Sequence, residues 1–364
     1  MILTFSSSIL IIVCMTSIMC AIPGVFLVLH SCALMSDALS HAILPGIVVM
    51  FLCIHSLDSP LLIFGAALSG LLTVLITQAL SHKYFIKKDS AIGLVFPVFF
   101  STGVLLISIY AYSIHLDSDM ILLGEVVFAP FKKLIIAGYD YGPTAIWNTG
   151  ILISIQILCI TLFFKEIVYS IFDPEYAYLS RIKPTVVFYV LMIITSLSAT
   201  IAFDIVGSFV VVALMITPAA TAWFVTNRII PLLCISCVLA LISAIDGYLI
   251  AHFYDVSIAG AIAVSNGLLF ILFLVIAPEK GILSQVIRRR RLRNDLKDDI
   301  VCYTIYSNNK KLLTIEDIAH ILNWSASSID YHVYNLERKN FVDSCMRVTT
   351  HGIKYLRSSY PYMR

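Results

Sequence analysis

Residues 185–228 read TVVFYVLMIITSLSATIAFDIVGSFVVVALMITPAATAWFVTNR. Two apolar runs, 185–203 and 206–226, follow one another, with Asp204 near the break and Arg228 beyond the second. A helix needs roughly 20 mainly apolar residues to cross a bilayer, and each run supplies about that many. Seven more runs of this kind occupy 6–29, 33–57, 60–81, 91–112, 144–165, 230–252 and 257–278. The pattern predicts an all-α polytopic membrane protein. About nine transmembrane helices are expected, eight to nine because only a short turn, Leu57–Pro60, parts the second and third. Segment 117–139 is interrupted by Gly124, Glu125 and Pro130, and suits a short periplasmic or re-entrant helix better than a span.

Working outward, composition agrees. The 364 residues are 60% hydrophobic and 13% charged, against about 25% charged in ordinary soluble domains. Residues 1–280 hold 10 Lys/Arg and 14 Asp/Glu, whereas 281–364 hold 14 and 8. A lipid-soluble body therefore meets a water-soluble one near residue 280. A single soluble enzyme, a disordered scaffold and a secreted disulfide domain are excluded. Seven of the nine cysteines sit in apolar runs, where Cys behaves as a small hydrophobe. Cys234 and Cys237 have redox-motif spacing but lie inside a span, without a second pair or a βαβ context. The first apolar stretch lacks a basic leader and a persuasive cleavage site, and reads as a retained helix.

Orientation follows from the basic loops. Lys83, Lys87, Lys88, Lys165, Arg181, Lys183, Arg228, Lys280 and the run Arg288–Arg291 all fall on one side, expected to be cytoplasmic. Lys132 and Lys133 are the exception. The N-terminus is then outside and the C-terminus inside.

Loop 165–184 is too polar to span and too patterned for a passive linker. Asp173 can cap a helix beginning at Pro174, with Glu175 in the first turn favouring the positive end of the dipole. Phe172, Tyr176 and Tyr178 flank it. Such a helix can dock in a groove of another protein or lie on the membrane; the residues alone leave both open.

A carboxylate within a span costs about 2.5–3.5 kcal/mol on insertion scales and marks a pathway or a partner. Asp37 and His41 lie four residues apart, on one helical face. A carboxylate oxygen and an imidazole nitrogen make half a site for manganese, iron or zinc. They can equally form a structural hydrogen bond. Pro45 cannot donate to the carbonyl of His41, which frees that oxygen and lets the helix bend. Asp246 reads as paired or near the outer face; Asp204, Glu125 and His252 read as solvated.

Four separated stretches resemble the membrane subunit of ABC-type importers for manganese, zinc and iron, over about residues 5–280. They are Asp37–Gly46, Ala91–Phe96 through Phe100–Gly103, Phe164–Glu166 with Phe172–Ala177, and Val206–Ser208 through Ala213–Ala222. The resemblance implies that Asp37 and His41 match metal-coordinating positions. It also implies that 165–184 docks on a cytoplasmic ATPase, with Lys165, Glu166, Phe172, Asp173, Pro174, Glu175 and Tyr176 as coupling residues. Where members often carry basic residues before the second helix, this chain has His30-Ser31-Cys32. No Gly-x-x-x-x-Gly-Lys-[Ser/Thr] occurs, so this chain cannot cradle ATP phosphates and is not itself an enzyme. The implied partners are the ATPase, a second permease subunit in a homo- or heterodimer, an extracytoplasmic metal-binding protein and membrane lipid. The metal is substrate, not a permanently bound cofactor. The location implied is the bacterial cytoplasmic (inner) membrane.

Residues 281–299 read as a basic linker, with five Arg among positions 288–293. Residues 300–364 read as a small cytoplasmic winged-helix-like domain: a first helix at 300–306, Thr314 capping 315–322 with Asp317 in capping-box style, and Ser325 capping 326–339. Ile315, Ile318, Ala319, Leu322, Ile329, Val333 and Leu336 face inward, and 341–342 with 346–348 read as wing strands. This stretch resembles the DNA-binding half of DtxR-type repressors. The recognition positions would be Ser325, Ser327, Ser328, Asp330, Tyr331 and His332, a set lacking the Arg or Asn that most often reads bases. Eight basic against five acidic residues give only a weak attraction for nucleic acid, and DNA is not expected as a partner. The expected function is permeation of a divalent metal, with a slight lean to manganese. The alternatives are a permease for a metal chelate such as a siderophore and a membrane-tethered DNA-binding regulator.

Overall fold

Helices dominate the computed structural model because lipid offers backbone groups no partner and only a helix or a closed barrel satisfies them internally. The structure describes residues 5–55, 61–84, 86–110, 126–136, 139–278, 280–308, 313–343 and 346–359. The chain divides into two units, Met1–Ala277 and Pro278–Arg364.

In the first unit the long helices are α1 (Phe5–Leu29), α2 (Leu34–Ile54), α3 (Leu61–Tyr84), α4 (Lys88–Tyr110), α5 (Thr144–Leu162), α8 (Pro184–Val206), α9 (Ser208–Val225), α10 (Ile229–Tyr254) and α11 (Ile258–Ile276), with the short α6 (Phe164–Phe172) and α7 (Pro174–Leu179) between α5 and α8. Among the described residues nine helices are long and apolar enough to cross a membrane, as the hydropathy predicts. This is a multi-pass membrane protein.

Helix α1 is central, packed by α5, α8, α9 and α10; α2, α3 and α4 form a group of their own that meets α8 through α2 and α3. Small residues bring the backbones together, since in lipid close packing replaces the hydrophobic drive. A Cβ on Gly24 would stand 1.8 Å from the Met215 carbonyl oxygen, so only glycine lets α1 lie on α9 there. Buried hydroxyls turn back onto their own helices: Thr16 donates to Ile12 O, Thr195 to Leu191 O and Thr200 to Ser196 O. Buried Gln156 on α5 donates to Met19 O of α1 at 3.1 Å and to Ser198 Oγ of α8 at 2.8 Å.

Segment 117–139 departs from expectation. Its described part is a 3-10 turn, Ala129–Phe131, followed by strand β1 (Lys133–Ile136), which pairs antiparallel with β2 (Tyr139–Pro143). Pro130 suits the start of a tight turn but not the interior of a helix; residues 111–125, with Glu125, lie outside the described residues. The two lysines that break the charge rule are each neutralised: Lys132 bonds Asp204 at 2.9 Å and Lys133 bonds Asp140. Asp204 is thus exposed, as expected, but ion-paired.

In the second unit the expected linker is helical. Helix α12 runs unbroken from Ile282 to Ser307, taking in both 282–299 and the first tail helix. Nothing between Gly281 and Ser307 breaks a helix, and Arg, Leu and Lys favour one. Helices α13 (Ile315–Leu322), α14 (Ala326–Arg338) and α15 (Thr350–Ser359) follow, with an antiparallel bridge, Val342 to Val348, before the last. The Thr314–Asp317 capping box forms. Ser325 stands at the start of α14, but its side chain makes no cap bond. The core holds Val301, Ile305, Ile318, Ile329, Val333, Leu336, Val342 and Leu356, with Ile315, Ala319 and Leu322 partly buried against it.

His332 is a correction. It is 3% exposed, and its Nδ1 lies 2.7 Å from Asp298 Oδ1 on α12, so it cannot reach an external ligand. It follows Ile329 by three residues and precedes Leu336 by four, which puts it on the inward stripe. Lys339 Nζ donates to the other oxygen of Asp298 at 2.9 Å. Removing Asp298 leaves the His332 ring buried without its partner and costs about 1–3 kcal/mol. Asp298→Ala is therefore expected to collapse amide hydrogen-exchange protection across α13 and α14 in the full-length protein. Protection at the wild-type level would show that the pair does not hold this unit together.

Candidate metal site and coupling surface

Helix α2 carries Asp37 and His41 on successive turns. The His41 Nε2 and Asp37 Oδ1 are 3.5 Å apart, with the side chains 23% and 44% exposed respectively. That is long for a direct hydrogen bond, and it leaves both groups able to turn toward a shared ligand. The far nitrogen, His41 Nδ1, is buried and makes no hydrogen bond. Two rings of α4 wall the imidazole: Phe100 edge-on at 5.4 Å between centroids and Phe96 tilted at 6.0 Å. A carboxylate and an imidazole facing each other at the edge of an apolar wall can hold a divalent cation of borderline softness, with the carboxylate balancing part of its charge. Among the described residues no group of three or more His, Cys, Asp or Glu is gathered for a metal. The candidate site among the described residues is thus this pair alone, half-exposed on one side.

Sequence reasoning found the pair but not its wall. The signal was present, since Phe96 and Phe100 also lie four residues apart and share a face. Pro45 is expected to free the carbonyl of His41; the donor that arrives beside the break, from α3, goes instead to the next carbonyl, Ser69 Oγ donating to Ala42 O at 2.6 Å.

The other candidate residues do not enter this site. Asp246 lies on the exposed face of α10 with Ile242, Ile245 and Leu249. His252 stacks on Tyr248, their centroids 6.3 Å apart. Cys234 and Cys237 are free thiols.

Loop 165–184 forms two helices rather than one. Helix α6 packs on α8 through buried Ile167 and Ser170, and α7 through buried Ala177. Asp173 is the hinge: its Oδ1 accepts from Tyr176 N at 3.0 Å, and Pro174 occupies the first turn, which is the expected cap. Tyr169 and Tyr176 meet edge to face at 5.1 Å and tie the two helices together. Lys165, Phe172, Glu175, Tyr176, Tyr178 and Leu179 are left exposed, with Glu166 half-buried. The result is a rigid elbow with an aromatic outer surface.

A family model described as ABC 3 transport family matches residues 3–277. The chain is 36% identical over 281 residues to the manganese transport system membrane protein MntD of Bacillus subtilis, spanning 77% of this chain and 95% of that protein. It is 37% identical over 298 residues to the zinc transport system membrane protein TroD of Treponema pallidum, spanning 82% of this chain and 80% of that protein. Among solved structures, PsaBC from Streptococcus pneumoniae in complex with Fab is similar, with TM-score 0.64 and 27% identity over 77% of this chain and 95% of that one.

Proposed function

Because the chain belongs to the ABC 3 transport family, we propose that it is the permease subunit of an ATP-driven importer for a divalent metal cation, manganese above zinc and iron. The carrying observation is the Asp37–His41 pair, a carboxylate and an imidazole 3.5 Å apart on one membrane helix. An apolar pathway for an organic chelate has no need of such a pair. A cation entering it trades part of its hydration shell for Asp37 Oδ1 and His41 Nε2. The carboxylate supplies charge where lipid cannot, and the phenyl rings exclude water. Two ligands are half a shell, so a second permease subunit contributes the other half across the open side.

Energy comes from a separate ATPase, since this chain has no phosphate-cradling loop. The α6–α7 elbow, with Phe172, Asp173, Pro174, Glu175 and Tyr176, is its docking surface. An extracytoplasmic metal-binding protein delivers the ion, and the basic loops face the cytoplasm in the inner membrane. The tail serves regulation or stability as a winged-helix-like domain; against DNA as its partner stand the acidic Asp330 on the exposed face of α14 and the burial of His332, one of the expected recognition positions.

Uptake of labelled Mn2+ into vesicles holding the full-length chain with its co-expressed ATPase and partner permease tests this reading. Uptake is expected to require ATP and to be displaced by unlabelled Mn2+ more readily than by Zn2+ or Fe2+. Transport of a ferric siderophore, with none of the free ions, would favour the chelate reading instead.

A further inference from the structure

A proline inside a membrane helix removes the donor to the carbonyl four residues before it, here that of His41, and lets the helix bend at that turn. Pro45 makes such a break one turn past His41. Beside it, the carbonyl of Ala42 accepts the 2.6 Å hydrogen bond from Ser69 Oγ. Ser69 is buried on α3 and also stands against Gly46: a Cβ on Gly46 would lie 2.2 Å from Gly65 O and 2.6 Å from Ser69 Cβ. Only the absence of a side chain at Gly46 lets the hydroxyl reach across.

The opposite flank of the break is held by α4. A Cβ on Gly103 would lie 2.9 Å from Pro45 N and 3.0 Å from Pro45 Cδ, so α4 seats its backbone directly on the proline ring. Phe96, Phe100 and Gly103 follow at helical spacing, so the face that walls His41 also seats Pro45. The turn from His41 to Pro45 is thereby held by a hydrogen bond from α3 and by a backbone contact with α4.

We propose that Ser69 is a positioning residue of the metal site. Its hydroxyl fixes the carbonyl next to His41, holds the turn at Pro45, and so sets the angle at which the imidazole faces Asp37. It does not touch the ion. The inference rests on Asp37 and His41 being the ligands. With two members among the described residues, the pair presents its ligands toward α4 at a fixed angle only while the turn from His41 to Pro45 is held. Loss of the hydroxyl therefore acts on affinity and on ion preference. A residue that merely packs α2 on α3 would change the amount of inserted protein and neither of those.

The test compares Ser69→Ala, Gly103→Ala and Asp37→Ala in the full-length chain, assembled with its ATPase and partner permease in vesicles. Initial rates of Mn2+ uptake, with Zn2+ as competitor, are normalised to inserted protein. Ser69→Ala is expected to raise KM about tenfold, the low end for losing an outer partner of a metal ligand, with kcat nearly unchanged and the preference between Mn2+ and Zn2+ narrowed. Gly103→Ala pushes the same turn from the other side and is expected to move KM in the same direction. Wild-type KM and ion preference in whichever of these two variants inserts would overturn the proposal. Wild-type uptake by Asp37→Ala would instead overturn the ligand assignment beneath it, so the two failures are told apart.

Discussion

Alanine at Asp37 or at His41 is expected to cut divalent-cation uptake by at least about a hundredfold. Outer partners of a metal ligand already cost about 10–100-fold when removed, and on the proposed assignment a ligand itself goes. If the pair chelates the ion, the loss of either member leaves a single donor on this helix. Folding offers no alternative explanation for such a loss. An ionised acid in a span costs about 2.5–3.5 kcal/mol to insert, so Asp37→Ala inserts at least as well as the parent. The His41 ring is walled by Phe96 and Phe100, and its removal leaves a pocket at the edge of α4 without cutting any backbone bond. The measurement is uptake per inserted molecule, with insertion read from the membrane fraction. Near wild-type rates from both variants would remove the metal from this helix and return the pair to a structural role.

The second large effect is expected at the elbow. Phe172→Ala combined with Glu175→Arg removes an exposed ring, 56% accessible in this chain, and reverses a charge in the first turn of α7. Aromatic anchors at the centre of an interface cost about 2 kcal/mol or more when truncated, and a reversed charge beside one adds repulsion. The ATPase should no longer co-purify, and uptake should fall with it. The spans should be untouched, because Ile167, Ser170 and Ala177 hold the elbow to α8 and neither substituted residue does. A variant that still captures the ATPase and transports normally would move the coupling contact elsewhere on this face.

Much of this protein is legible without a structure. The spans are, because the free energy of moving a run of about 20 apolar residues into lipid is a sum of local terms. The caps at Asp173 and Thr314 are also local, since a cap needs only a side-chain oxygen and a backbone N–H three residues away. So is the pairing of Asp37 with His41, which follows from helical geometry alone. The boundary between linker and first tail helix is not local in the same way. Charge density marks the change of solvent near residue 280, but a helix of Arg, Leu and Lys reads equally as a solvated linker, and α12 is continuous through it.

What only the tertiary structure decided are the contacts between residues far apart in the chain. Lys132 and Asp204, seventy-two residues apart, form an ion pair that no local reading of either segment contains. His332 lies on the inward stripe by periodicity, but its polar side chain suggested the surface; Asp298, thirty-four residues earlier, supplies the acceptor that lets it be buried. The rings of Phe96 and Phe100 and the hydroxyl of Ser69 reach α2 only because glycines at 46, 65 and 103 bring three helix backbones together. A helix's own sequence states which residues share a face. Which neighbour meets that face depends on how separate helices pack, and there the energy resides in close contacts that no single segment contains.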